Sequence, residues 1–263
     1  MRIPGSVAIV TGGARGFGKA FTEELLKRGA RVCFADVNVT EGLQTEQSFK
    51  ATYGEDNSMF VKCDVTSETD FNGLWKTALE KFKSVDLMVN NAGILNENIP
   101  QKTIEVNLLG AMRGTDLAIK YMRKDQGGNG GLIVNVASTG GLFPVFFMPA
   151  YAASKYGVVG YTRSWAANPS CQEYGLSFAC LCPAFSETNM LSDALNDDPP
   201  LVSYHENKTQ VQEIIQGIGV NKIDDVTKAF IELVEKEDNN GAVVTIEQSR
   251  GTIYRFTKHP HKL

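Results

Sequence analysis

The chain has 263 residues, of which 43% are hydrophobic and 21% are charged, and its formal net charge is −4. This length favours one large domain, residues 1–263, with a hydrophobic core of full size. Lysine and arginine are scattered along a mildly acidic chain, which excludes the concentrated basic surface of a nucleic-acid-binding protein.

Targeting and metal-binding signals are also missing from the sequence. No apolar run approaches the roughly 18 residues that cross a bilayer, and the first residues lack the apolar region of a secretory signal. We therefore expect a cytoplasmic protein without a membrane span. Five cysteines form no C-x-x-C pair, and three dispersed histidines predict no metal site. Cys180 and Cys182 are two positions apart and would share one face of a strand.

Seven apolar runs are typical of strands that are buried on both faces. In chain order they are SVAIVTGG, ARVCFADV, SMFVKCDV, VDLMVNNAG, GLIVNVAS, LSFACLCP and GAVVTIEQ. Segments with helical periodicity alternate with these runs, as in βαβ units. The predicted fold class is therefore α/β, a Rossmann-like doubly wound parallel sheet of seven strands with helices on both faces.

The alternation of strands and helices fails at about residues 185–219, where two prolines and many polar residues follow a strand end. Long insertions in compact domains often form lids or binding segments. Because doubly wound sheets bind ligands at the carboxyl ends of their strands, we predict that residues 185–219 form a substrate-binding lid.

The stretch TGGARGFG joins the first strand to the first helix and contains Gly12, Gly16 and Gly18. Glycines let the backbone bend sharply and approach a pyrophosphate, and the free N–H groups of a helix N-terminus stabilise its charge. A glycine-rich turn alone is a weak indication of a nucleotide site. Its position directly after the first strand strengthens the interpretation.

The choice between the two nicotinamide cofactors depends on two residues with opposite charges. Asp36 ends the second strand, where a carboxylate accepts hydrogen bonds from a ribose hydroxyl and repels a 2′-phosphate. Arg15 in the glycine turn argues the other way, because a guanidinium binds phosphate. We give Asp36 the greater weight and predict NAD as the cofactor.

Three motifs together resemble those of the short-chain dehydrogenase/reductase family. TGGARGFG is similar to the family's T-G-x-x-x-G-x-G turn, NNAG at residues 90–93 to its second signature, and YAASK at residues 151–155 to its Y-x-x-x-K motif. The resemblance covers essentially the whole chain. It implies an oxidoreductase that transfers hydride between a nicotinamide and a secondary alcohol or ketone.

The resemblance also implies which residues bind the cofactor. Asp64 and Val65 would contact the adenine, although Asp64 has the alternative of capping the next helix. Residues 91–93 would line the cofactor, and Thr188 would bind the carboxamide. The implied set is Gly12, Arg15, Gly16, Phe17, Gly18, Asp36, Val37, Asp64, Val65, Asn91, Ala92, Gly93, Tyr151, Lys155, Pro183, Phe185 and Thr188.

The family's catalytic residues correspond to Asn107, Ser138, Tyr151 and Lys155. Ser138 would orient the substrate oxygen, and Tyr151 would be the acid/base. A free tyrosine has a pKa of about 10, and a cationic lysine one helical turn away would lower it. Asn107 would complete a proton relay through water and the lysine, or would only satisfy a bend in its helix.

Several stretches, among them CPAFSET and YGVVGYTRSWAAN, are similar to those of the NAD-dependent 15-hydroxyprostaglandin dehydrogenases within this family. That likeness implies a lipid-like or apolar alcohol as substrate.

Met148 stands where those enzymes carry a glutamine, Gln216 lies in a region that is aromatic there, and Ala184 replaces a glycine. The predicted substrate pocket contains Ser138, Met148, Phe185 and Gln216. The aromatic residues of GLFPVFFMP line this pocket or belong to the core or a subunit interface.

Two other interpretations of the sequence stay open. One is a carbonyl reductase of steroid, retinoid or terpenoid ketones, and the other is an NAD(H)-binding sensor without turnover. The intact catalytic set argues against the sensor. The helix of the YAASK motif continues with Val158, Val159, Tyr161 and Trp165, more apolar surface than one sheet face needs, which predicts a homodimer.

Overall fold

The computed structural model describes residues 1–196, 201–203 and 208–256. Within these residues one sheet contains eight strands. They are β1 Val7–Thr11, β2 Arg31–Asp36, β3 Ser58–Lys62, β4 Leu87–Asn90, β5 Gly131–Val136, β6 Leu176–Pro183, β7 Ala242–Glu247 and β8 Gly251–Phe256. Their order across the sheet is β3-β2-β1-β4-β5-β6-β7-β8. Strands β1 to β7 pair in parallel, and β8 is antiparallel to β7.

The strand order reverses between β1 and β4, because the chain first builds the sheet outward through β2 and β3 and then crosses to the other side. At such a reversal the connections after neighbouring strands leave in opposite directions and open a crevice at the carboxyl ends. The predicted doubly wound α/β fold is confirmed, and the crevice locates its binding site.

The predicted number of strands is wrong by one. All seven predicted strands are present, but the segment GTIYRF forms the additional strand β8 at the edge of the sheet. Its residues are exposed or half-buried. An edge strand has one paired side and needs no continuous apolar run, so the buried-strand pattern does not detect it.

Ten α-helices lie between the strands of the described ranges. They are α1 Gly16–Lys27, α2 Val39–Tyr53, α3 Glu68–Phe82, α4 Pro100–Ile104, α5 Gly110–Met122, α6 Pro149–Ala166, α7 Cys171–Tyr174, α8 Asn189–Asn196, α9 Lys208–Ile218 and α10 Ile223–Glu235. Helices α1, α2 and α10 pack on one face of the sheet around Phe21 and Phe230. Helices α3 and α5 pack on the other face around Phe71 and Trp75.

The segment between β4 and β5 is less regular than its periodicity predicts. The sequence favours one long helix, but a π-helical turn, Glu105–Leu109, separates α4 from α5. The N–H of Gly110 donates to the carbonyl of Glu105, a spacing of five residues. Such turns are frequent at functional sites, and this one contains Asn107, which is 1% exposed.

Two expectations about small clusters can be compared with the fold. The side chains of Cys180 and Cys182 share one face of β6, with their sulfur atoms 3.7 Å apart, as predicted. His205, His259 and His261 lie outside the described residues, and among the residues that are described no group of acidic and cysteine side chains is arranged to hold a metal ion. No helix in the described ranges is long and apolar enough to span a membrane.

Candidate active site

A cavity of about 910 Å³ lies at the carboxyl ends of the central strands, where the strand order reverses. Most of the predicted site residues line it, including Ser138, Tyr151 and Lys155. Three predicted residues do not: Gly18, Asn107 and Gln216. The sequence-predicted nucleotide turn and the Y-x-x-x-K motif therefore open onto the same space.

The glycine turn after β1 is shaped by contacts with the end of β4. Gly12 has a φ of +64°, and a Cβ atom there would come within 2.9 Å of the Ala92 backbone. The side-chain amide of Asn91 donates to the carbonyl oxygens of Thr11 (3.0 Å) and Gly12 (3.1 Å). The Asn91 side chain thus helps to fix the predicted cofactor-binding turn to the end of the neighbouring strand.

Gly18 serves a different purpose from the one predicted. A Cβ atom at this position would lie 2.1 Å from the carbonyl oxygen of Gly12. The residue is buried behind the turn, where only glycine lets α1 pack this closely, and it does not face the cavity. It therefore supports the predicted cofactor site through packing and does not line the cavity.

The N-terminus of α1 and the carboxylate of Asp36 fit a dinucleotide. The cap residue of α1, Arg15, forms no side-chain capping bond, so the first N–H groups of the helix stay available for a pyrophosphate. Asp36 accepts hydrogen bonds from the N–H groups of Ala14 (3.2 Å) and Asn38 (3.0 Å) and lines the cavity. The guanidinium of Arg15 lies 3.8 Å from the carboxylate of Glu41. A 2′-phosphate would thus meet the Asp36 carboxylate and an arginine already engaged with another acid.

Asp64 and Val65 lie in the wall of the same cavity. The carboxylate of Asp64 accepts bonds from the backbone N–H (2.9 Å) and the hydroxyl (2.8 Å) of Thr66. The cap of the next helix, α3, is Ser67, whose hydroxyl accepts a bond from the Asp70 N–H. The alternative role of Asp64 as that helix cap is therefore wrong.

Ser138, Tyr151 and Lys155 converge at the centre of the cavity. Ser138 follows β5, and its hydroxyl donates to the carbonyl of Pro183 at 3.2 Å. Tyr151 and Lys155 share one face of α6, and the Lys155 Nζ lies 5.6 Å from the centroid of the Tyr151 ring. The Lys155 ammonium donates to the carbonyl of Val136 at 2.9 Å.

The electrostatics of this group differ from the sequence-based expectation. Burial raises the pKa of Tyr151 to about 12, although a hydrogen bond with Ser138 acts in the opposite direction. Burial lowers the pKa of Lys155 to about 8. Desolvation thus has a larger effect on the pKa of Tyr151 than the nearby charge of Lys155, which the sequence predicts to lower it. The protein alone keeps the phenol neutral at physiological pH.

Asn107 lies behind the cavity wall, where its side chain binds the backbone after β4. Its amide accepts a bond from the Ile94 N–H (2.8 Å) and donates to the Ile94 carbonyl (2.9 Å) and the Ser154 hydroxyl (3.1 Å). A Cβ atom on Gly93 would lie 3.2 Å from this amide oxygen and 3.5 Å from the Lys155 Nζ. Asn107 is therefore a neighbour of the lysine and not a lining residue.

Apolar side chains form the part of the cavity beyond Ser138 and Tyr151. Phe147 and Met148 are buried in a cluster with Leu95, Phe185 and Val202. The rings of Phe147 and Phe185 stack with centroids 6.3 Å apart. Two aromatic residues of GLFPVFFMP line the cavity and stay partly exposed. They are Phe143 (45%) and Phe146 (43%). Both alternatives for this stretch therefore apply, since it contributes to a local core and to the pocket.

The prediction for Gln216 requires correction. The residue is exposed on α9, whereas Ile214 and Ile218 of the same helix line the cavity. Helical periodicity explains the difference, because positions two residues apart on a helix do not face the same side. Residues 197–200 and 204–207 of the predicted lid lie outside the described residues.

The family model for short chain dehydrogenases matches residues 6–199 of this sequence. The chain belongs to the short-chain dehydrogenase family. It is 35% identical over 251 residues to human 15-hydroxyprostaglandin dehydrogenase [NAD(+)], a match that covers 95% of this chain and 94% of the human protein. The predicted resemblance to the family and to these enzymes is thereby confirmed.

Two further comparisons extend the likeness within the short-chain dehydrogenase family. The 3beta-hydroxysteroid dehydrogenase 2 of Eggerthella lenta is 35% identical over 197 residues, which cover 72% of this chain and 74% of that protein. A short chain dehydrogenase/reductase from Burkholderia phymatum, solved in complex with NAD, superposes with a TM-score of 0.80 at 27% identity. That comparison covers 93% of this chain and 90% of the other.

Sequence reasoning missed several side chains around the short-chain dehydrogenase site. Leu95, Val145, Met190 and Ile214 line the cavity without having been predicted. The spacing of Val211, Ile214, Ile215 and Ile218 at i, i+3, i+4 and i+7 is a helical pattern that would have located α9 and its pocket face. No spacing signal marks Glu97, whose carboxylate binds the first turn of α6.

Proposed function

We propose that the protein is an NAD-dependent oxidoreductase that interconverts a secondary alcohol and its ketone, with a lipid-like or apolar substrate. The observation that carries this proposal is the convergence of Ser138, Tyr151 and Lys155 between a dinucleotide-type turn and an apolar pocket. The likeness to an NAD(+)-dependent 15-hydroxyprostaglandin dehydrogenase supports the reaction class and the cofactor.

The residues of the site have separable tasks in this reaction. Ser138 donates a hydrogen bond to the substrate oxygen and orients it, and the phenolate form of Tyr151 takes the hydroxyl proton as the alcohol becomes a ketone, which leaves a neutral phenol. Lys155 holds a positive charge beside the phenol and favours the phenolate that accepts this proton. When bound, the nicotinamide accepts the hydride that the substrate carbon loses. In the reverse direction Tyr151 returns the proton to the oxygen.

Asp36 is proposed to select NAD over NADP. Replacing Asp36 by alanine removes the acceptor for ribose hydroxyls and the repulsion of a 2′-phosphate, so the ratio of kcat/KM for NAD to that for NADP should fall by about 10- to 100-fold. Initial rates with each cofactor measure this ratio. Asp56→Ala, which changes an exposed acid before β3, is the matched control and should leave the ratio unchanged. An unchanged ratio in Asp36→Ala would contradict the assignment.

A panel of alcohols, followed by nicotinamide absorbance with NAD and NADP in parallel, tests the substrate class. Medium-chain and lipid-like secondary alcohols should be turned over better than ethanol, because Phe147, Met148 and Phe185 provide an apolar wall and no hydrogen-bonding side chain. A strong preference for short, polar alcohols would count against the proposal.

A carbonyl reductase of steroid, retinoid or terpenoid ketones is the second candidate. The likeness to the Eggerthella lenta 3beta-hydroxysteroid dehydrogenase 2 favours it. The same catalytic groups serve both directions, so the two candidates differ in substrate and in the direction of the reaction. Including sterol and terpenoid alcohols and ketones in the panel separates them.

A homodimer in the cytoplasm is also proposed, but on different residues from those first considered. Val158 and Val159 are buried against the chain's own sheet, and Trp165 stacks on an aromatic ring of β6. Val158 and Val159 therefore offer no free surface, and Tyr161 and Trp165 are half-buried. The support is now the exposed Leu109 (39%) and Tyr156 (44%) on adjoining elements. Light scattering at micromolar concentration tests the dimer, and a monomer would refute it.

A further inference from the structure

The loop after β4 contributes a carboxylate to the start of the helix that carries Tyr151. One oxygen of Glu97 accepts the N–H of Ala150 and the other accepts the N–H of Tyr151, both at 2.9 Å. Glu97 is 54 residues away from Tyr151 in sequence and only two residues from Leu95, which lines the cavity. A single side chain thus holds the backbone of the proposed acid/base.

The N-terminus of α6 has no other capping group of its own. Met148 is the cap residue and forms no side-chain bond to the helix, and Pro149 in the first turn has no N–H. The N–H groups of Ala150 and Tyr151 are the first donors of the helix and require acceptors from elsewhere in the chain. A carboxylate at this position also interacts favourably with the positive end of the helix dipole.

The backbone of Glu97 connects the same point to the predicted lid, residues 185–219. Its N–H donates to the carbonyl of Leu201 at 2.8 Å, and the N–H of Ser203 donates to the carbonyl of Phe147 at 3.0 Å. Val202 packs in the same apolar cluster as Tyr151. The lid segment and the first turn of α6 therefore meet at Glu97. Substituting the side chain of Glu97 removes its contact with α6. The Glu97 N–H stays in place and can still donate to Leu201.

We propose that Glu97 is a positioning residue for Tyr151: its carboxylate fixes the first turn of α6 and so sets where the phenol meets Ser138 and the substrate oxygen. The inference rests on the proposed acid/base role of Tyr151. The titratable and polar groups that face the phenol are Lys155 from α6, Ser138 after β5 and Cys182 from β6. The Glu97 carboxylate at the helix start has the same charge as a phenolate, so we expect its removal to favour ionisation of Tyr151.

The test compares two substitutions that remove different parts of this contact. Glu97→Gln keeps one acceptor oxygen and removes the charge, whereas Glu97→Ala removes both acceptors. We expect kcat to fall by about 10- to 100-fold in Glu97→Ala and by less in Glu97→Gln, because small displacements of a catalytic group are costly. The dissociation constant for NADH should stay within about twofold of the parent, since the cofactor turn is untouched.

A pH profile separates positioning from a purely structural cap. Removing the charge in Glu97→Gln should lower the pKa of the essential base, so the rise of kcat for alcohol oxidation with pH should shift to lower pH. Asn239→Ala is the matched control, because it removes a side-chain bond to the end of α10 far from the cavity. It should lower thermal stability and leave kcat and the profile unchanged.

Two outcomes would overturn the inference. One is a Glu97→Ala enzyme whose kcat stays within twofold of the parent, and the other is a Glu97→Gln profile identical to that of the parent. If Glu97→Ala does not fold, Glu97→Gln decides alone. If the parent turns over no alcohol, the proposed function fails. The inference about Glu97 is then tested by an ultraviolet titration of tyrosinate, with Tyr151→Phe as the blank. In that titration Glu97→Gln should ionise Tyr151 at lower pH, and an unchanged titration would reject the positioning role.

Discussion

Tyr151→Phe is expected to lower kcat for alcohol oxidation by about 10²- to 10⁴-fold, the range that a positioned general base contributes. The substitution removes one oxygen and keeps the ring, which is 8% exposed in the apolar cluster. Cofactor affinity should change by less than about twofold, because the glycine turn, Asp36 and the N-terminus of α1 are unaffected. This combination distinguishes lost chemistry from lost binding.

Single-turnover rates and NADH fluorescence titration measure the two quantities separately. Tyr156→Phe, five residues further along α6 and 44% exposed, is the matched control and should retain full activity. Turnover by Tyr151→Phe at more than a tenth of the parent rate would show that another group moves the proton. It would also favour a different alignment of the substrate in the cavity.

Lys155→Met is expected to make the protein more stable and much less active. A buried lysine whose pKa is lowered from 10.5 to about 8 costs on the order of 3 kcal/mol of folding free energy at pH 7. Methionine has a similar length and no charge, so part of that cost should disappear. Loss of the cation beside the phenol should lower kcat by about 10²- to 10³-fold.

The sign of the pH dependence gives a second measurement on the same variant. Because the folded-state pKa of Lys155 is lowered, the unfolded chain binds more protons between about pH 8 and pH 10.5. The free energy of unfolding of the parent should therefore rise with pH in this window relative to Lys155→Met. The raised pKa of Tyr151 acts in the opposite direction between pH 10 and about 12.

Urea unfolding of parent and variant between pH 7 and pH 10 measures this difference. Lys76→Met, which removes an exposed lysine of α3, should follow the parent at every pH. A parallel pH dependence in the parent and Lys155→Met would mean that the lysine is neutral or well solvated in the folded protein.

The sequence predicted those parts of the fold whose signal is local. The parallel strands β1 to β7 are continuous apolar runs, and the Y-x-x-x-K spacing places Tyr151 and Lys155 on one face of a helix in any context. β8 was missed because its segment GTIYRF is exposed or half-buried and contains no continuous apolar run. The relation between tyrosine and lysine was predicted from charge alone, but burial of both groups has the larger effect on their pKa values.

Contacts between distant segments were not predictable from one sequence. The Glu97 carboxylate reaches α6 only because the loop after β4 passes the start of that helix. The Asn107 side chain in the π-helical turn likewise binds the backbone of Ile94, thirteen residues earlier. Neither contact leaves a pattern in the residues around it, so both require the tertiary structure.

The π-helical turn also bears on how this chain tolerates insertions and deletions. A π turn contains one residue more than a regular helical turn, and each residue of an α-helix advances the side chains by about 100°. Deleting one residue from Glu105–Leu109 would restore a continuous helix from α4 to α5. It would also displace the side chains within the turn and turn Asn107 away from Ile94. A regular helix in this segment would therefore lose the Asn107 contacts behind Lys155. Even a single-residue deletion here should be poorly tolerated.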